Sequence, residues 1–201
     1  MADRYDEREA NACFILGVLL EHASERDCAA ELFRRAISRH HDLAAPRVRL
    51  GFLRWHAGDV TGMYEAFAEA VSLDPQAVRI AVQEEPEEAR LISLVLYPKQ
   101  YVRPPSQDRM RAAPPEVEEW SEMLERVEAD IAAGRDEEAI GALEGMLRED
   151  PEDPYPVPLL VLAYLLLRAT GSAEATAAGQ GGMLRQVSPE LAKLLFQHKS
   201  S

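Results

Sequence analysis

The sequence is short of the residues that build disulfide frameworks, metal clusters and β-sheets. Its 201 residues include only two cysteines, and aromatic residues make up 6% of the chain. Cys13 and Cys28 form no CxxC pair and no cysteine–histidine spacing of a metal site. We therefore expect two reduced, buried thiols in a cytoplasmic protein. Runs of β-branched residues are also scarce, so the expected fold class is all-α.

Positive charge is scarce as well. The chain holds 22 Lys and Arg against 35 Asp and Glu, which gives a formal net charge of −13. Nucleic acids and anionic membrane surfaces are bound mainly through Lys and Arg, so neither is an expected partner. The charge fits a soluble protein whose partners are neutral or basic proteins.

Long hydrophobic runs are missing. The most apolar run, Val157–Leu167, has about half of the roughly 20 residues that a bilayer-spanning helix needs. The first ten residues lack the basic and apolar segments of a secretory signal. We expect a cytoplasmic protein with no membrane partner. Because the run 157–167 is apolar nearly all round, it must be covered on two sides, by the C-terminal helix and by a partner or a second copy.

Enzyme motifs are also absent. The sequence has no GxSxG, no HExxH and no phosphate-binding GxxxxGK, and its glycine-rich Gly179–Gly182 follows no predicted strand. His22 and His56 occupy equivalent places in the repeat described next and could share a metal, but no third ligand recurs at a fitting place. A groove-lining role is the preferred interpretation. We predict a non-catalytic protein with no cofactor and no metal.

What the sequence does contain is a repeat of 34 residues. Residues 10–43 align with residues 44–77 without a gap. The matching pairs are Leu16-Gly17 with Leu50-Gly51, Phe33 with Phe67, and Ala36 with Ala70. A fixed period of this length is typical of stacked helix–turn–helix units.

Each copy of the repeat reads as two helices. A very apolar first helix precedes a second helix with one apolar stripe at spacings of three and four. Gly17 removes a side chain where the two helices must cross closely, and Phe33 fills the space between them. Ser24 or Asp27 is expected to cap the second helix. In the second copy, Pro75 is expected to end that helix.

This pattern resembles the tetratricopeptide-repeat family, whose repeat carries Leu-Gly, a large residue, a turn glycine, Ala, an aromatic residue, Ala and a closing proline. The matching residues of the first copy are Cys13, Leu16, Gly17, Leu20, Ala29, Phe33 and Ala36, and those of the second are Leu50, Gly51, Gly58, Phe67, Ala70, Asp74 and Pro75. His41, Arg54 and Met63 depart from the pattern. The resemblance implies a TPR-like α-solenoid of antiparallel helix hairpins, here with a C-terminal capping helix.

The remainder of the chain continues this organisation less regularly. Aligning Gly134 with Gly58 places Ala139, Leu143 and Met146 at second-helix positions of a third repeat. A proline-rich segment precedes it, interpreted as a linker or insertion, with a lid or docking strand as the alternative. The predicted organisation is residues 1–97 with two repeats (10–43, 44–77) and a closing helix, the segment 98–115, and residues 116–201 with a third repeat (120–153), a degenerate fourth (154–187) and a capping helix. The capping helix is expected to begin at Ser188-Pro189, an N-cap followed by proline, and to carry Lys193 on its polar side.

Acidic residues concentrate in the third repeat. Residues 116–153 contain 15 Asp and Glu against three Arg. Such a run usually forms a solvated helix face. The alternative is an acidic surface that attracts a basic partner.

In the family that the repeat resembles, the inner face of the first helices binds an extended peptide or a helix. Phe14 and Val18 stand where a carboxylate-gripping subgroup has Lys and Asn, so we expect an apolar, aromatic groove. Alternatively, Phe14, Phe52 and Trp55 pack against the proline-rich segment or the C-terminal helix of the same chain. The predicted partner-binding residues are Asn11, Phe14, Val18, Glu21, His22, Val48, Phe52, Trp55 and His56.

These patterns favour a non-catalytic adaptor or scaffold that binds a peptide or helix of another protein. The alternative is a structural subunit of a larger assembly, or a homo-oligomer, held through the apolar helix at 157–167 and the C-terminal helix.

Overall fold

The described part of the chain is helical throughout. The computed structural model describes residues 2–83, 115–153, 155–170 and 182–196, where α-helices are joined by turns, so the expected all-α class is confirmed. None of these helices combines the length and apolarity that crossing a membrane requires. The helices are α1 (Ala2–His22), α2 (Arg26–Arg39), α3 (Ala45–His56), α4 (Val60–Leu73), α5 (Pro75–Gln83), α6 (Pro115–Ala132), α7 (Asp136–Glu149), α8 (Pro156–Ala169), α9 (Gly182–Val187) and α10 (Pro189–Phe196).

The chain divides into two compact units. The first comprises residues 1–41 and 84–126, and the second comprises residues 42–83 and 127–201. The predicted closing helix before residue 97 and nearly all of the segment 98–115 lie outside the described residues. The domain boundaries drawn from the sequence therefore stay a prediction.

In the first unit, α1 and α2 pack as a helical hairpin around one close approach. The ring of Phe33 is fully buried, and a Cβ added to Gly17 would lie 2.7 Å from its Cδ1 atom. Side-chain carbons do not come that close, so the helices can cross here only because Gly17 has no side chain. Phe14 adds a tilted ring contact, with its centroid 5.9 Å from that of Phe33. The predicted crossing at Gly17 and the predicted filling by Phe33 are confirmed. The expected burial of both thiols is correct for Cys13 and wrong for Cys28, which lies on the exposed side of α2.

In the second unit, α3 and α4 repeat this arrangement. A Cβ on Gly51 would lie 2.6 Å from Cδ1 of the fully buried Phe67. Phe52 meets the Phe67 ring edge-on, at a centroid distance of 5.2 Å and an interplanar angle of 68°. α4 ends at Leu73 and α5 begins at Pro75, as the proline predicts.

Three of the turns between helices have the same backbone geometry. Ser24, Gly58 and Gly134 have φ angles of 65°, 77° and 78°. Each of these residues donates its N–H to the carbonyl three positions back, and the next residue donates to the carbonyl five positions back. A left-handed residue with these bonds satisfies the last carbonyls of the helix before it. The predicted alignment of Gly134 with Gly58 is confirmed.

The prediction that Ser24 or Asp27 caps α2 is wrong. Ser24 occupies the left-handed position of the turn, Glu25 is the N-cap without a side-chain hydrogen bond, and Asp27 already lies in the first helical turn. The first hairpin lacks a glycine at this place, so Ser24 takes the conformation that Gly58 takes in the second. There Asp59 does cap α4, its carboxylate accepting a 2.9 Å hydrogen bond from the N–H of Gly62.

The helices that follow these three turns also correspond in length. α2, α4 and α7 each have 14 residues. In α7 the side chains of Ala139, Leu143 and Met146 are buried, as the alignment predicts. Val127 of α6 is also buried, and it aligns in sequence with Gly17 and Gly51. Aliphatic residues therefore stand in the third repeat at the aligned positions of the glycine and the aromatic residue.

The apolar helix α8 is covered by the chain itself. Every residue from Pro156 to Leu167 is buried, and α4, α7 and α10 of the second unit pack against α8. The C-terminal helix thus covers α8 as expected. The second cover, expected from a partner or a second copy, comes from α4 and α7.

The helix α10 begins as its sequence predicts. Ser188 precedes Pro189, and the Ser188 carbonyl accepts a 3.0 Å hydrogen bond from the N–H of Ala192. Leu191 and Leu195 are buried, whereas Lys193 is exposed. Apolar burial on one face holds this short helix against its neighbours.

A buried ion pair joins α5 to the third hairpin turn. Arg79 donates to both carboxylate oxygens of Asp136, at 2.5 and 2.6 Å, and to the carbonyl of Ile131 at 2.6 Å. The two side chains are 6% and 3% exposed. A bidentate arrangement with an additional carbonyl acceptor offsets part of the cost of removing both charges from water. Asp136 is therefore not part of a solvated acidic face.

The substitution Gly17→Ala tests the crossing in the first hairpin. We expect it to destabilise the protein by about 1–3 kcal/mol, since the new methyl group overlaps the buried ring of Phe33. Gly141, a helical glycine of α7 with nothing within 4 Å of an added Cβ, is the matched control. Gly141→Ala should stabilise by about 0.5–1 kcal/mol through helix propensity. Urea unfolding measures both, and equal effects would contradict the described crossing.

The substitution Asp136→Ala tests the buried pair. It leaves the Arg79 guanidinium buried without its carboxylate, and we expect a loss of about 3–5 kcal/mol in the free energy of unfolding. The exposed pair of Arg135 with Asp130, 2.7 Å apart at the same turn, serves as the control. Arg135→Ala should cost less than about 1 kcal/mol. Comparable losses in the two variants would show that the Arg79 contact contributes no more than a surface pair.

Candidate functional site

Five of the predicted groove residues lie on α1, in the first unit. Phe14 is half buried through its contact with Phe33, and Val18 is buried. Asn11 is exposed, and Glu21 and His22 are half buried. Val18 therefore contributes no accessible surface, and the apolar surface that these five residues offer comes from Phe14.

The other four predicted groove residues lie on α3, in the second unit. Val48 is buried, His56 is exposed, and Phe52 and Trp55 are half buried. Phe52 has one ring edge engaged with Phe67. The two sets of residues belong to different compact units, so the groove as a single surface stays a prediction. Within the second unit, Phe52 and Trp55 form the aromatic surface of α3.

The histidines of the predicted groove are not accompanied by a metal-ligand cluster in the described residues. No three His, Cys, Asp or Glu side chains come together there as a metal site requires. His22 lies on α1 and His56 on α3, at the C-terminal ends of their helices. The 34-residue repeat alone explains why the two histidines occupy equivalent positions in the sequence.

A cavity of about 370 Å³ lies on the hairpin formed by α9 and α10, in the second unit. Its lining combines two cationic side chains with three apolar ones. The lining residues are Arg185, Pro189, Ala192, Lys193 and Phe196. In a chain of net charge −13, this is a local concentration of positive charge next to apolar surface.

One wall of this cavity is held by buried groups. The guanidinium carbon of Arg185 lies 5.2 Å from the ring centroid of Phe196. The Phe196 ring meets Tyr164 edge-on, with a centroid distance of 5.5 Å and an angle of 82°. The Tyr164 hydroxyl donates a 2.9 Å hydrogen bond to Glu144. Burial of the ring, followed by the bond to the Glu144 carboxylate, raises the pKa of Tyr164 above its usual range.

Sequence reasoning missed this cavity. Phe196 ends the described part of α10, and Arg185 lies in the short α9, where no motif marks either residue. Only the fold brings Tyr164, which comes from a helix more than 20 positions earlier, against them. The sole local indication is that Lys193 was expected on the polar side of α10, where it lies.

Comparisons of the chain with protein-family models, with curated proteins and with solved structures give no match.

The raised pKa of Tyr164 predicts a loss of stability at alkaline pH. The folded state favours the neutral, protonated phenol of Tyr164. Its contribution to the free energy of unfolding is therefore fully present below the pKa that Tyr164 has in the unfolded chain. Above about pH 10 the unfolded chain releases this proton and the folded chain retains it, which lowers the free energy of unfolding by about 1.4 kcal/mol per pH unit. Urea unfolding between pH 8 and pH 11 measures this slope.

Two phenylalanine variants separate Tyr164 from the other groups that titrate in this range. Tyr164→Phe should make the fall in the free energy of unfolding above pH 10 shallower, by the contribution of one proton, about 1.4 kcal/mol per pH unit. Tyr155→Phe, at a residue that is 62% exposed, controls for the removal of one phenol. A slope in Tyr164→Phe equal to that of the unsubstituted protein would contradict the assignment.

Proposed function

We propose that this chain is a non-catalytic adaptor that binds a peptide or a helix of another protein, built on TPR-like helix hairpins. The repeat architecture is supported by the three equal turns, the three 14-residue second helices and the two glycine–phenylalanine crossings. Hairpins of equal geometry can stack, and stacked first helices present one continuous face. Cytoplasmic location and a possible homo-oligomer belong to the same proposal.

The half-buried aromatic surface of α3 is the observation that carries the binding proposal. The rings of Phe52 and Trp55 remain partly accessible. This holds although α3 packs on α4 and Phe52 contacts Phe67 there. Large aromatic side chains are typical anchors of protein–protein contacts. Burying one such ring in a partner contributes about 1.5–3 kcal/mol.

The acidic residues of α6 and α7 bear on the charge of the partner. Asp136 pairs with Arg79, Asp130 with Arg135, and Glu144 with Arg148. Exposed Glu137 and Glu138, in the first turn of α7, face solvent. We propose that this charge favours a basic partner by accelerating its association, an effect that rising salt should weaken.

The alternative of a structural subunit has less support. Residues 157–167 of α8 are buried within the chain, so this apolar run offers almost no accessible surface to an assembly. The exposed side of α10 remains available for such a contact. We therefore retain the adaptor as the conclusion.

The substitution Trp55→Ala tests the adaptor proposal. We expect it to reduce capture of the native partner by about tenfold or more, since a loss of 1.4 kcal/mol corresponds to a factor of ten in affinity. Trp55 is the cleaner choice, because Phe52 also supports the core through Phe67. Quantitative affinity capture from the native cell, with circular dichroism to verify helix content, measures the effect.

Tyr155→Ala is the matched control, since it removes an exposed aromatic side chain at the start of α8. Capture should be unchanged in this variant. Equal capture by Trp55→Ala and Tyr155→Ala would overturn the assignment of the binding surface to α3.

A further inference from the structure

The cavity on α9 and α10 is lined by charged as well as apolar side chains. The packing of the two helices does not itself require the charged ones. Two of its lining residues, Arg185 and Lys193, are exposed cations, and Phe196, Pro189 and Ala192 supply an apolar floor. Its volume of about 370 Å³ lies at the lower end of the range of small-molecule sites, about 300–1,000 Å³. A space of this size suits a small molecule better than a segment of protein.

The charge of the cavity is not neutralised by the described residues. No carboxylate among them forms an ion pair with Arg185 or Lys193. The acidic residue on the same helix, Glu190, accepts a 3.2 Å hydrogen bond from Thr61 of α4 instead. The electrostatic complement of this cavity is therefore an anion.

Arg185 and Phe196 are positioned in advance. Phe196 is fixed edge-on against the buried Tyr164, and Arg185 lies over the face of Phe196. The end of α10 is also held, because Arg168 donates a 2.8 Å hydrogen bond to the carbonyl of Leu195. Groups that are ordered before binding lose less entropy when a ligand arrives.

We propose that this cavity binds a small organic carboxylate with an apolar body. The carboxylate lies between Arg185 and Lys193, where the guanidinium can donate two parallel hydrogen bonds. The apolar body lies against Phe196, Pro189 and Ala192. This site is separate from the aromatic surface of α3, so the two proposals can fail independently.

Titration of the full-length protein with 2-naphthoate tests the proposal, with binding followed by calorimetry and by NMR shifts of the Ala192 methyl group. We expect saturable binding, and binding at least tenfold weaker for the neutral 2-naphthamide and for inorganic phosphate. Absence of 2-naphthoate binding at millimolar concentration would overturn the proposal. So would equal affinity for the neutral amide, or for phosphate.

Charge-removing variants locate the binding. Arg185→Gln and Lys193→Gln should each weaken 2-naphthoate binding about tenfold, and Arg34→Gln, which removes an exposed cation from α2, should leave it unchanged. All three residues are exposed, and thermal unfolding verifies that the variants remain folded. Equal binding by the three variants would place the ligand elsewhere and overturn the assignment.

Discussion

The close approach of two helices at a residue without a side chain is the constraint on which this structure depends. Gly17 and Gly51 admit the rings of Phe33 and Phe67 into the crossing, and each ring is then fully buried. This contact fixes how deeply the two helices of a hairpin interlock. In the second unit, α4 also packs against α5, α8 and α10. The hairpin of α3 and α4 is therefore a central part of the core of the second unit.

The parts of the fold that sequence predicts are those decided over short stretches of chain. The apolar stripes of α2 and α4, the helix end before Pro75 and the start of α10 at Ser188-Pro189 each follow from a few neighbouring residues. The glycine crossings were predictable because the 34-residue period shows them twice. Ser24 was misread because a serine before a helix usually caps it, and only the missing turn glycine indicated otherwise.

The parts that sequence does not predict depend on residues far apart. Arg79 and Asp136 are 57 positions apart, and before folding each reads as an ordinary exposed charge. The cavity wall likewise needs α8, α9 and α10 together. The predicted groove is a second example. The periodicity gives Val18, Val48 and Trp55 the same role, whereas packing buries the two valines and leaves Trp55 partly exposed. Periodicity places residues on a helix face, and tertiary packing decides which of them remain accessible.

A double-mutant cycle on Gly51 and Phe67 measures the central contact most directly. The free energy of unfolding is determined for Gly51→Ala, Phe67→Leu and the double variant. If the added methyl group meets the ring, the smaller leucine should relieve the overlap. The double variant is then more stable than the sum of the single effects predicts, by about 1 kcal/mol or more. Additivity within about 0.5 kcal/mol would show that the two residues do not share the crossing, and would contradict the account.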